Sequence, residues 1–415
     1  MKLVHWYLLG SATWFVAWGI QSVLFSWLVT MVLHESPQRV GFAQMTMMLP
    51  SLFFLLIGGS LADRFGSRRL ALLAQTLAVL PPLMLAVAVA LDRVSYALML
   101  GYAVLTGLAQ AFLTPARDGM LSQVAQGRIQ HTVLLASMVQ FSVQLLGFQL
   151  AAAAGTLGAT VVLIVQAATL MFGIFAYSRL NLIVPPRFVP TLLAPTMARE
   201  PMLQALGTSI RQGARVVFSA PTMRVVLAIN VATGMFFMGS FMVTLPLLVR
   251  DVFGGTTAGL SAISTANVLG LVSTIVALLF YGEVLRKGRA LIIAHAIGAL
   301  GLGALALPMT FPVALVIIFI CGASGGVAMS MARTIMQEQA TEGVRGRVMA
   351  FFSVSLLGAG PFGALLAGFL AGHLGVHGTL LTVASAMGLV LLWSAFATSL
   401  WHARNTAVPQ PVAMG

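Results

Sequence analysis

Twelve long apolar runs dominate the sequence and leave little choice of fold. About 20 helical residues cross a hydrocarbon core of about 30 Å, because each residue adds about 1.5 Å. The runs form two sets of six with one long break between them. They lie near residues 7–33, 40–62, 69–91, 95–116, 131–155, 159–180, 223–249, 258–281, 289–309, 311–333, 347–372 and 378–400. The pattern predicts an all-α membrane protein of twelve transmembrane helices.

The charge content also favours a bilayer as the outer solvent. Only 7% of the 415 residues are charged, against about 25% in an ordinary soluble domain. The net charge is +13, but the basic residues fall in short groups between apolar runs. Nucleic-acid binding is therefore not expected, since it needs basic residues on one exposed face. The single cysteine, Cys321, excludes an internal disulfide. We expect no metal site and no cofactor.

The distribution of basic residues predicts the orientation. If the N-terminus is cytoplasmic, the outer loops hold only Arg39, Arg93 and Arg250, each with an acidic residue in the same loop. The whole net charge of +13 then lies on the inner face, which is the positive-inside pattern. We therefore expect a multi-pass protein of a bacterial inner membrane with both termini in the cytoplasm. The two faces are called the predicted cytoplasmic and predicted periplasmic sides below.

The spacing of the runs predicts two six-helix bundles, at 1–180 and 223–400, and a cytoplasmic tail at 401–415. A proline-rich linker at 181–222 joins them, and its apolar residues between 203 and 217 have the spacing of an amphipathic surface helix. The two bundles are also locally similar in sequence, because an arginine ends both the fourth and the tenth apolar run. Such an internal repeat is typical of carriers that work by alternating access.

The most informative motif lies between the second and third runs, on the predicted cytoplasmic side. It reads GGSLADRFGSRR, and Asp63 and Arg68 could pair there at the membrane edge. A plain turn with inner-face charges is the simpler interpretation. The residues that carry a sharper interpretation are Gly59, Asp63, Arg64, Gly66, Arg68 and Arg69.

These residues resemble motif A of the major facilitator superfamily, which is a glycine, three residues, Asp-Arg, and then glycine and basic residues. The resemblance implies that Asp63 braces the second helix against the start of the eleventh, where a helix N-terminus favours a carboxylate. The cytoplasmic side would thereby be held shut. Arg68 and Asp118 would complete a charge relay. The matching loop of the second half keeps Glu283 but loses the glycine pattern.

Three further stretches, Thr114–Arg117, Ile210–Arg224 and Gln337–Arg347, narrow the resemblance. Together they resemble the branch with the macrolide-efflux proteins, the enterobactin exporter and related drug:proton antiporters. This implies a secondary transporter that exports a drug-like or siderophore-like molecule. Asp118 departs from the branch, in which a neutral or basic residue is expected after the arginine.

The eleventh run contains Gly360, Pro361 and Gly363. Small residues let helices cross closely, and a proline kinks a helix. The segment therefore fits plain packing and also fits a hinge that moves during transport. The two interpretations are compatible.

Polar side chains inside apolar runs are candidates for a central cavity, because facing lipid would leave their hydrogen bonds unmet. Each could equally form a hydrogen bond between helices. The candidates are Gln21, Gln110, Gln140, Gln144, Asn230 and Asn267. Trp18, Met45, Met47 and Met48 could add an adaptable apolar wall, although packing explains them as well.

Proton coupling is implied by the resemblance and not by the residues. Proton-coupled carriers usually keep an ionisable group inside the membrane, but no acidic residue lies in the middle third of a run. Asp63, Asp118, Glu338 and Glu342 lie at predicted cytoplasmic ends, and His295 in the ninth run is more often a structural residue. A cavity without fixed charge favours hydrophobic or amphiphilic substrates.

Two other functions fit parts of the sequence. Gly322–Gly325 has the nucleophile pattern of rhomboid intramembrane proteases, in which Ser324 would need a histidine such as His295 opposite it. A transport-inactive membrane sensor would share the scaffold. The double six-helix layout is foreign to rhomboids. We therefore predict a monomeric transporter in a lipid bilayer, not an enzyme, that moves a small molecule outward; the family resemblance implies a proton as the coupling ion.

Overall fold

The computed structural model describes residues 2–125, 129–180, 214–281, 284–340 and 345–402. Within these stretches the chain is helical, and none of their residues belongs to a β-strand. Residues 181–213 of the predicted linker, 403–415 of the predicted tail, Glu283 and Glu342 lie outside the described residues. Val217, at the end of the predicted amphipathic helix, is buried in the core of the second half.

The first half consists of six helices. They are α1 (Lys2–Trp27), α2 (Pro37–Phe65), α3 (Ser67–Ala90), α4 (Tyr96–Val124), α5 (Ile129–Ala152) and α6 (Ala159–Ser178). A π-helical turn, Leu28–Val32, extends α1. Helix α2 begins with Pro37, whose missing N–H loses no hydrogen bond in a first turn. At the start of α4 the Ser95 hydroxyl accepts a hydrogen bond from the Leu98 N–H (3.3 Å).

The second half also consists of six helices. The first four are α7 (Pro221–Val252), α8 (Thr257–Tyr281), α9 (Lys287–Ala304) and α10 (Phe311–Gln339). The long helical segment Arg345–Phe396 has one non-helical residue, Gly375, with φ of +67°. That left-handed conformation is readily adopted by glycine alone, and it divides the segment into α11 (345–374) and α12 (376–396). Helix α7 contains two π-helical turns, Thr233–Met238 and Ser240–Thr244.

The prediction of twelve transmembrane helices is confirmed. In the described ranges nine helical segments are long and apolar enough to cross a membrane, and one of them, Val348–Phe396, contains both α11 and α12. Helices α2 and α9 complete the set. Helix α4 continues to Val124, although its apolar run ends near residue 116. The apolar run stops where charged residues begin, whereas the backbone helix needs only unbroken hydrogen bonding to continue.

Each half packs mainly on itself, and a few helices join the halves. In the first half α1 packs against α5 and α6, and α4 packs against α2 and α3. In the second half α10 packs against α8 and α9, and α7 packs against α11. The main contacts between the halves are α2 with α11 and α5 with α8. These two helix pairs therefore form the seam along which the halves meet.

Among the described residues, four hydrogen bonds connect the two halves on the predicted periplasmic side. Three connect the ends of α5 and α8: Ser261 Oγ donates to the Phe148 carbonyl (2.7 Å), Thr257 Oγ1 to the Ala152 carbonyl (3.2 Å) and Gln149 Nε2 to Thr265 Oγ1 (3.1 Å). The fourth runs from Arg250 to the Glu35 carbonyl (3.1 Å). The halves are therefore joined on this side of the bundle.

Two glycines allow α2 and α11 to cross closely at the same level. A Cβ atom on Gly41 would lie 2.6 Å from the Ala364 carbonyl oxygen, and one on Gly368 would lie 2.6 Å from the Pro37 carbonyl oxygen and 2.9 Å from the Gly41 Cα. The obstacles are backbone atoms, which cannot turn aside as a side chain can. Any larger residue at this crossing must therefore separate the helices.

We expect Gly368→Leu to open the predicted periplasmic side, because its side chain would push α11 away from α2. In a Cys321→Ala background, a cysteine at Ser264 should then react faster with a membrane-impermeant maleimide added from that side. Gly388→Leu is the matched control, because nothing lies within 4 Å of a Cβ atom at Gly388. Equal labelling rates in both variants would contradict the assignment of this crossing as the seal.

Candidate substrate cavity

A cavity of about 350 Å³ lies between the two halves. Helices α1, α2, α4, α5, α7, α8 and α11 contribute its wall. The apolar part of the wall is rich in methionine and aromatic side chains: Met47, Met48, Met238, Met242, Trp18, Phe148 and Phe241. The polar part consists of carboxamides and hydroxyls: Gln21, Gln44, Gln110, Gln144, Asn267, Ser22, Ser26, Ser51 and Ser264. None of the described residues that line the cavity is ionisable.

The cavity brings together four of the six carboxamides predicted from the sequence. Gln21 donates through Nε2 to the Met47 sulfur (2.9 Å). The side chains of Gln110, Gln144 and Asn267 have no hydrogen-bond partner in the described part of the chain. Gln144 is nevertheless buried. Its amide atoms line the cavity and are not enclosed by protein, so this side chain, like those of Gln110 and Asn267, is suited to bind a polar group of a ligand.

The other two predicted carboxamides lie elsewhere. Asn230 links α7 to α11, because its Nδ2 donates to the Phe352 carbonyl (2.8 Å) and to Ser355 Oγ (2.7 Å). For Asn230 the structure therefore shows a hydrogen bond between helices. Gln140 is half-buried on α5 and does not line the cavity. It lies one helical turn before Gln144, so depth along α5 distinguishes the two.

One carboxamide of the cavity wall, Gln44, is missing from the sequence-based prediction. It lies near the start of its apolar run, whereas the candidates were taken from deeper positions. Its Nε2 donates to Ser26 Oγ (3.0 Å). A signal was present, since Gln44, Met47, Met48 and Ser51 recur at the spacing that puts residues on one face of a helix.

The predicted motif lies where α2 ends and α3 begins. Gly66 has φ of +87° and separates the two helices. Gly59, Asp63 and Arg64 belong to the last turns of α2, and their side chains are outside the described part of the structure. Arg69 is exposed.

Arg68 contacts the C-terminal end of α6, and the side chain of Asp63, its predicted partner, lies outside the described part of the structure. Its guanidinium donates to the Tyr177 carbonyl (3.2 Å) and the Ser178 carbonyl (2.5 Å) at the C-terminal end of α6. A cation is favourable there because the last carbonyls of a helix carry partial negative charge. Arg68 thereby ties the start of α3 to α6.

Asp118 lies between the halves on the predicted cytoplasmic side. It interacts electrostatically with Arg117 on its own helix and with Arg333 on α10. Arg117 lies over the ring of Phe15, 4.4 Å from its centre. The two arginines that end the fourth and tenth runs therefore both act electrostatically on one carboxylate. This interaction crosses from one half to the other.

A profile described as Major Facilitator Superfamily matches residues 7–361. The chain belongs to this superfamily. The predicted family and fold class are thus confirmed, and the chain is a secondary transporter of small molecules and not an enzyme.

Similar proteins and structures agree with this membership. The chain is 30% identical over 390 residues to the multidrug efflux pump Tap of Mycolicibacterium fortuitum, covering 90% of each chain. It is 28% identical over 387 residues to the multidrug efflux pump Tap of Mycobacterium tuberculosis, covering 88% of this chain and 86% of that protein. The structure of the nucleoside transporter NupG superposes with a TM-score of 0.74 at 14% identity, covering 94% of this chain and 98% of that one. A D-xylose-proton symporter gives a TM-score of 0.70 at 16% identity, with 94% and 96% covered.

The protease alternative lacks the contact that it needs. Ser324 Oγ donates to the Cys321 carbonyl (2.8 Å). His295 uses Nδ1 on the Leu291 carbonyl (3.0 Å) and Nε2 on Thr233 Oγ1 (2.8 Å). A serine nucleophile must be hydrogen-bonded to its base, and here both side chains are engaged by other groups. This agrees with membership of a transporter superfamily.

The residues predicted to form a hinge in α11, Gly360, Pro361 and Gly363, are tightly packed. A Cβ atom on Gly363 would lie 2.3 Å from the Met235 carbonyl oxygen, and one on Gly360 would lie 2.5 Å from the Met48 Cε. Pro361 is buried within continuous helix. Gly363 therefore lets α11 approach α7, and Gly360 makes room for a methionine of the cavity wall.

We expect Gly66→Ala to destabilise the protein by about 1–2 kcal/mol, since a Cβ atom is disfavoured in the left-handed region. Space is not the cause, because nothing lies within 4 Å of that Cβ position. Gly101→Ala is the matched control: it has equal space but no positive φ, and alanine is the better helix former. Thermal unfolding midpoints in detergent measure the effect. Equal unfolding midpoints for Gly66→Ala and Gly101→Ala would contradict this prediction.

Proposed function

We propose that this transporter exports amphiphilic molecules that are uncharged or carry a delocalised charge. The observation that supports this most is the cavity wall, in which unpartnered carboxamides stand among methionine and aromatic side chains. A compact ion would enter without a counter-charge and lose its hydration. An amphiphile would instead bury its apolar surface and bind the amides with its polar groups. The name multidrug efflux pump, carried by the Tap relatives, agrees with export of such compounds.

The wall is also suited to substrates of varied shape. Methionine side chains are unbranched and polarisable and adapt to irregular partners, which is common at promiscuous sites. Four of them face the cavity from α2 and α7, which belong to different halves. Rearrangement of the halves would therefore change the wall on both sides of a bound molecule. A volume of about 350 Å³ lies within the range of small-molecule sites.

Alternating access is the mechanism that the arrangement supports. The halves are joined on the predicted periplasmic side, and the cavity lies on the predicted cytoplasmic side of these hydrogen bonds. In this state the substrate would enter from the cytoplasm. Closure of the cytoplasmic side would rely on Asp63 at the start of α11, as the motif implies, and on Asp118 with Arg333. Release would follow when the contacts between α5 and α8 and between α2 and α11 separate.

Several further features belong to this proposal. The protein would act as a monomer in a bacterial inner membrane, with both termini and the 181–222 linker in the cytoplasm. Energy would come from protons that move inward as substrate moves outward. The positive-inside distribution of charge supports the orientation.

Transport in proteoliposomes tests the function directly. Chloramphenicol serves as the uncharged amphiphilic probe, ethidium as the delocalised cation and putrescine as the compact dication. With an acidic vesicle interior, protein whose cytoplasmic face points outward should accumulate the first two probes and not the third. Accumulation of putrescine alone, or of none of the probes, would contradict the proposal.

We expect Gln144→Leu to raise the KM for chloramphenicol about tenfold, because one hydrogen bond of about 1–1.5 kcal/mol is lost. Gln140→Leu is the matched control, since it changes the same side chain one turn away on α5 and outside the cavity. Its KM should stay within about twofold of the wild type. Initial rates of uptake measure both. A larger effect of Gln140→Leu would place the binding site elsewhere.

We expect Asp63→Asn to lower export at least about tenfold, because the amide lacks the charge that attracts the N-terminal end of α11. Membrane insertion should be unchanged. Asp92→Asn, in the loop between α3 and α4, is the control: its φ of +54° is tolerated by asparagine, so export should persist. Export is measured as ethidium efflux from energised cells at equal protein level. Full efflux by Asp63→Asn would rule out the gating assignment.

A further inference from the structure

A second pocket of about 330 Å³ lies inside the second half, among helices α7 to α11. It adjoins the substrate cavity, because Met238, Phe241 and Asn267 line both spaces. Its wall is mainly apolar but contains His295, Thr233 and Cys321. The mechanism proposed above assigns no role to this pocket.

His295 is held in the pocket by both nitrogens of its ring. Nδ1 lies 3.0 Å from the Leu291 carbonyl, one turn earlier on α9. Nε2 lies 2.8 Å from Thr233 Oγ1 on α7. The Thr233 hydroxyl is also 2.8 Å from the Ile229 carbonyl. The ring thus belongs to a short chain of hydrogen bonds that ends on a backbone carbonyl at each end.

The number of hydrogen atoms in this chain depends on the charge of the ring. A carbonyl only accepts, so Nδ1 carries a hydrogen in either state. When the ring is neutral, the Thr233 hydroxyl can donate its single hydrogen to Nε2 or to the Ile229 carbonyl but not to both. One of these two contacts is then not a hydrogen bond. With an imidazolium, Nε2–H donates to Thr233, and the hydroxyl donates to the Ile229 carbonyl. All three contacts are then hydrogen bonds, so the site is complete with one added proton.

Among the described residues, no carboxylate, lysine or arginine lines this pocket. Cys321 is the other titratable side chain lining the pocket, and its sulfur lies 3.7 Å from the Gly298 carbonyl. The other charged or titratable residues of α7 to α12 whose side chains the structure describes do not line the pocket. They lie within about two turns of helix ends and are Arg224, Arg250, Asp251, Tyr281, Lys287, Arg289, Arg333, Glu338, His373 and His377.

We propose that His295 binds the coupling proton of this transporter. The inference rests on the proposed function, because it assigns a residue to the proton exchange assumed there. On proton uptake an N–H bond forms at Nε2, and the Thr233 hydrogen turns to the Ile229 carbonyl. On release that N–H bond breaks, the proton passes to water, and the hydroxyl turns back to Nε2. No other bond changes.

The wall that the pocket shares with the substrate cavity explains why bound substrate would disfavour a proton on His295. An imidazolium in an apolar pocket depends on nearby water and on its hydrogen bonds. An amphiphile against Met238, Phe241 and Asn267 displaces that water and favours the neutral ring. Thr233 also begins the π-helical segment of α7, and such segments are frequent at functional sites. Movement of α7 would therefore change the distance between Thr233 and His295.

The decisive experiment compares two modes of chloramphenicol transport in proteoliposomes. A gradient of about one pH unit supports about tenfold accumulation when one proton is exchanged for one neutral molecule. Exchange of labelled for unlabelled probe at equal pH needs no proton movement. We expect His295→Gln to keep the exchange and lose the accumulation. His377→Gln is the matched control, because its Nδ1 also contacts a backbone carbonyl (Ala306, 2.9 Å) but faces neither cavity; it should keep both modes.

A second pair of variants guards against simple misfolding. Thr233→Val retains the ring but removes the acceptor for Nε2–H, so the imidazolium loses a hydrogen bond. Half-maximal accumulation should then need a more acidic vesicle interior. Thr233→Ser retains the hydroxyl and should restore the wild-type dependence. ¹⁵N-histidine NMR spectra report the state of the ring, and the His295 signal is the one that is missing from His295→Gln. This signal should show an unprotonated Nε2 at alkaline pH and two protonated nitrogens at acidic pH. Chloramphenicol should favour the form with an unprotonated Nε2.

The outcomes separate the two proposals. If the wild type exchanges chloramphenicol but does not accumulate it in the gradient, proton antiport itself is wrong. If the wild type accumulates it and His295→Gln does so equally, the antiport stands and the assignment of His295 is overturned. If His295→Gln loses both modes, the ¹⁵N signal decides, and a ring that takes up no proton overturns the assignment.

Discussion

The need of every backbone N–H and C=O group for a partner inside the hydrocarbon layer governs this structure. No water reaches these groups from the lipid side, so each span must close its own hydrogen bonds as a helix. Breaks such as Gly66 and Gly375 therefore lie at the ends of helices. The irregular turns within α7 are the exception, and they lie where Met238, Phe241 and Met242 face the cavity instead of lipid. Departure from regular helix thus coincides with the interior spaces used for transport.

The same need for hydrogen-bond partners divides the carboxamide side chains into two groups. Gln166 donates to the Ala17 carbonyl (3.2 Å) and Tyr102 Oη (3.4 Å) within the first half, and Asn230 connects α7 with α11. These amides hold helices together. Gln144 is buried as they are but has no partner in the described part of the chain. A transporter must leave such groups unpaired until substrate arrives, since binding energy comes from pairing them. The packing amides thus lie between helices of one half, whereas Gln144 lies in the wall of the cavity between the halves.

Close helix crossings allow two rigid halves to meet along a narrow seam. Backbone-to-backbone contact at Gly41 and Gly368 brings α2 against α11 without interlocking side chains. Such a contact can separate and re-form with little rearrangement, whereas the many side chains inside each half cannot. On the predicted cytoplasmic side, Asp118 of one half interacts electrostatically with Arg333 of the other. The predicted periplasmic side is thus closed by hydrogen bonds and backbone contact, whereas closure of the other side would rely on charge, which suits a carrier that opens them alternately.

The sequence by itself determined the number of spans, their approximate ends, the expected orientation and the superfamily. Hydropathy and charge act locally on each span, and the motif around Gly66 is contiguous, so no distant contact was needed. Helical spacing also placed Gln44 on the face of Met47 and Met48, although that signal went unused. Tertiary structure alone decided which amides meet a cavity: Gln140 and Gln144 share a face of α5 but differ in depth, and the packing of the neighbouring helices decides at which depth the cavity lies. It also decided that Arg68 caps α6 and that His295 meets Thr233 instead of Ser324. Periodicity fixes a direction around one helix, whereas the partner found there depends on how distant helices pack.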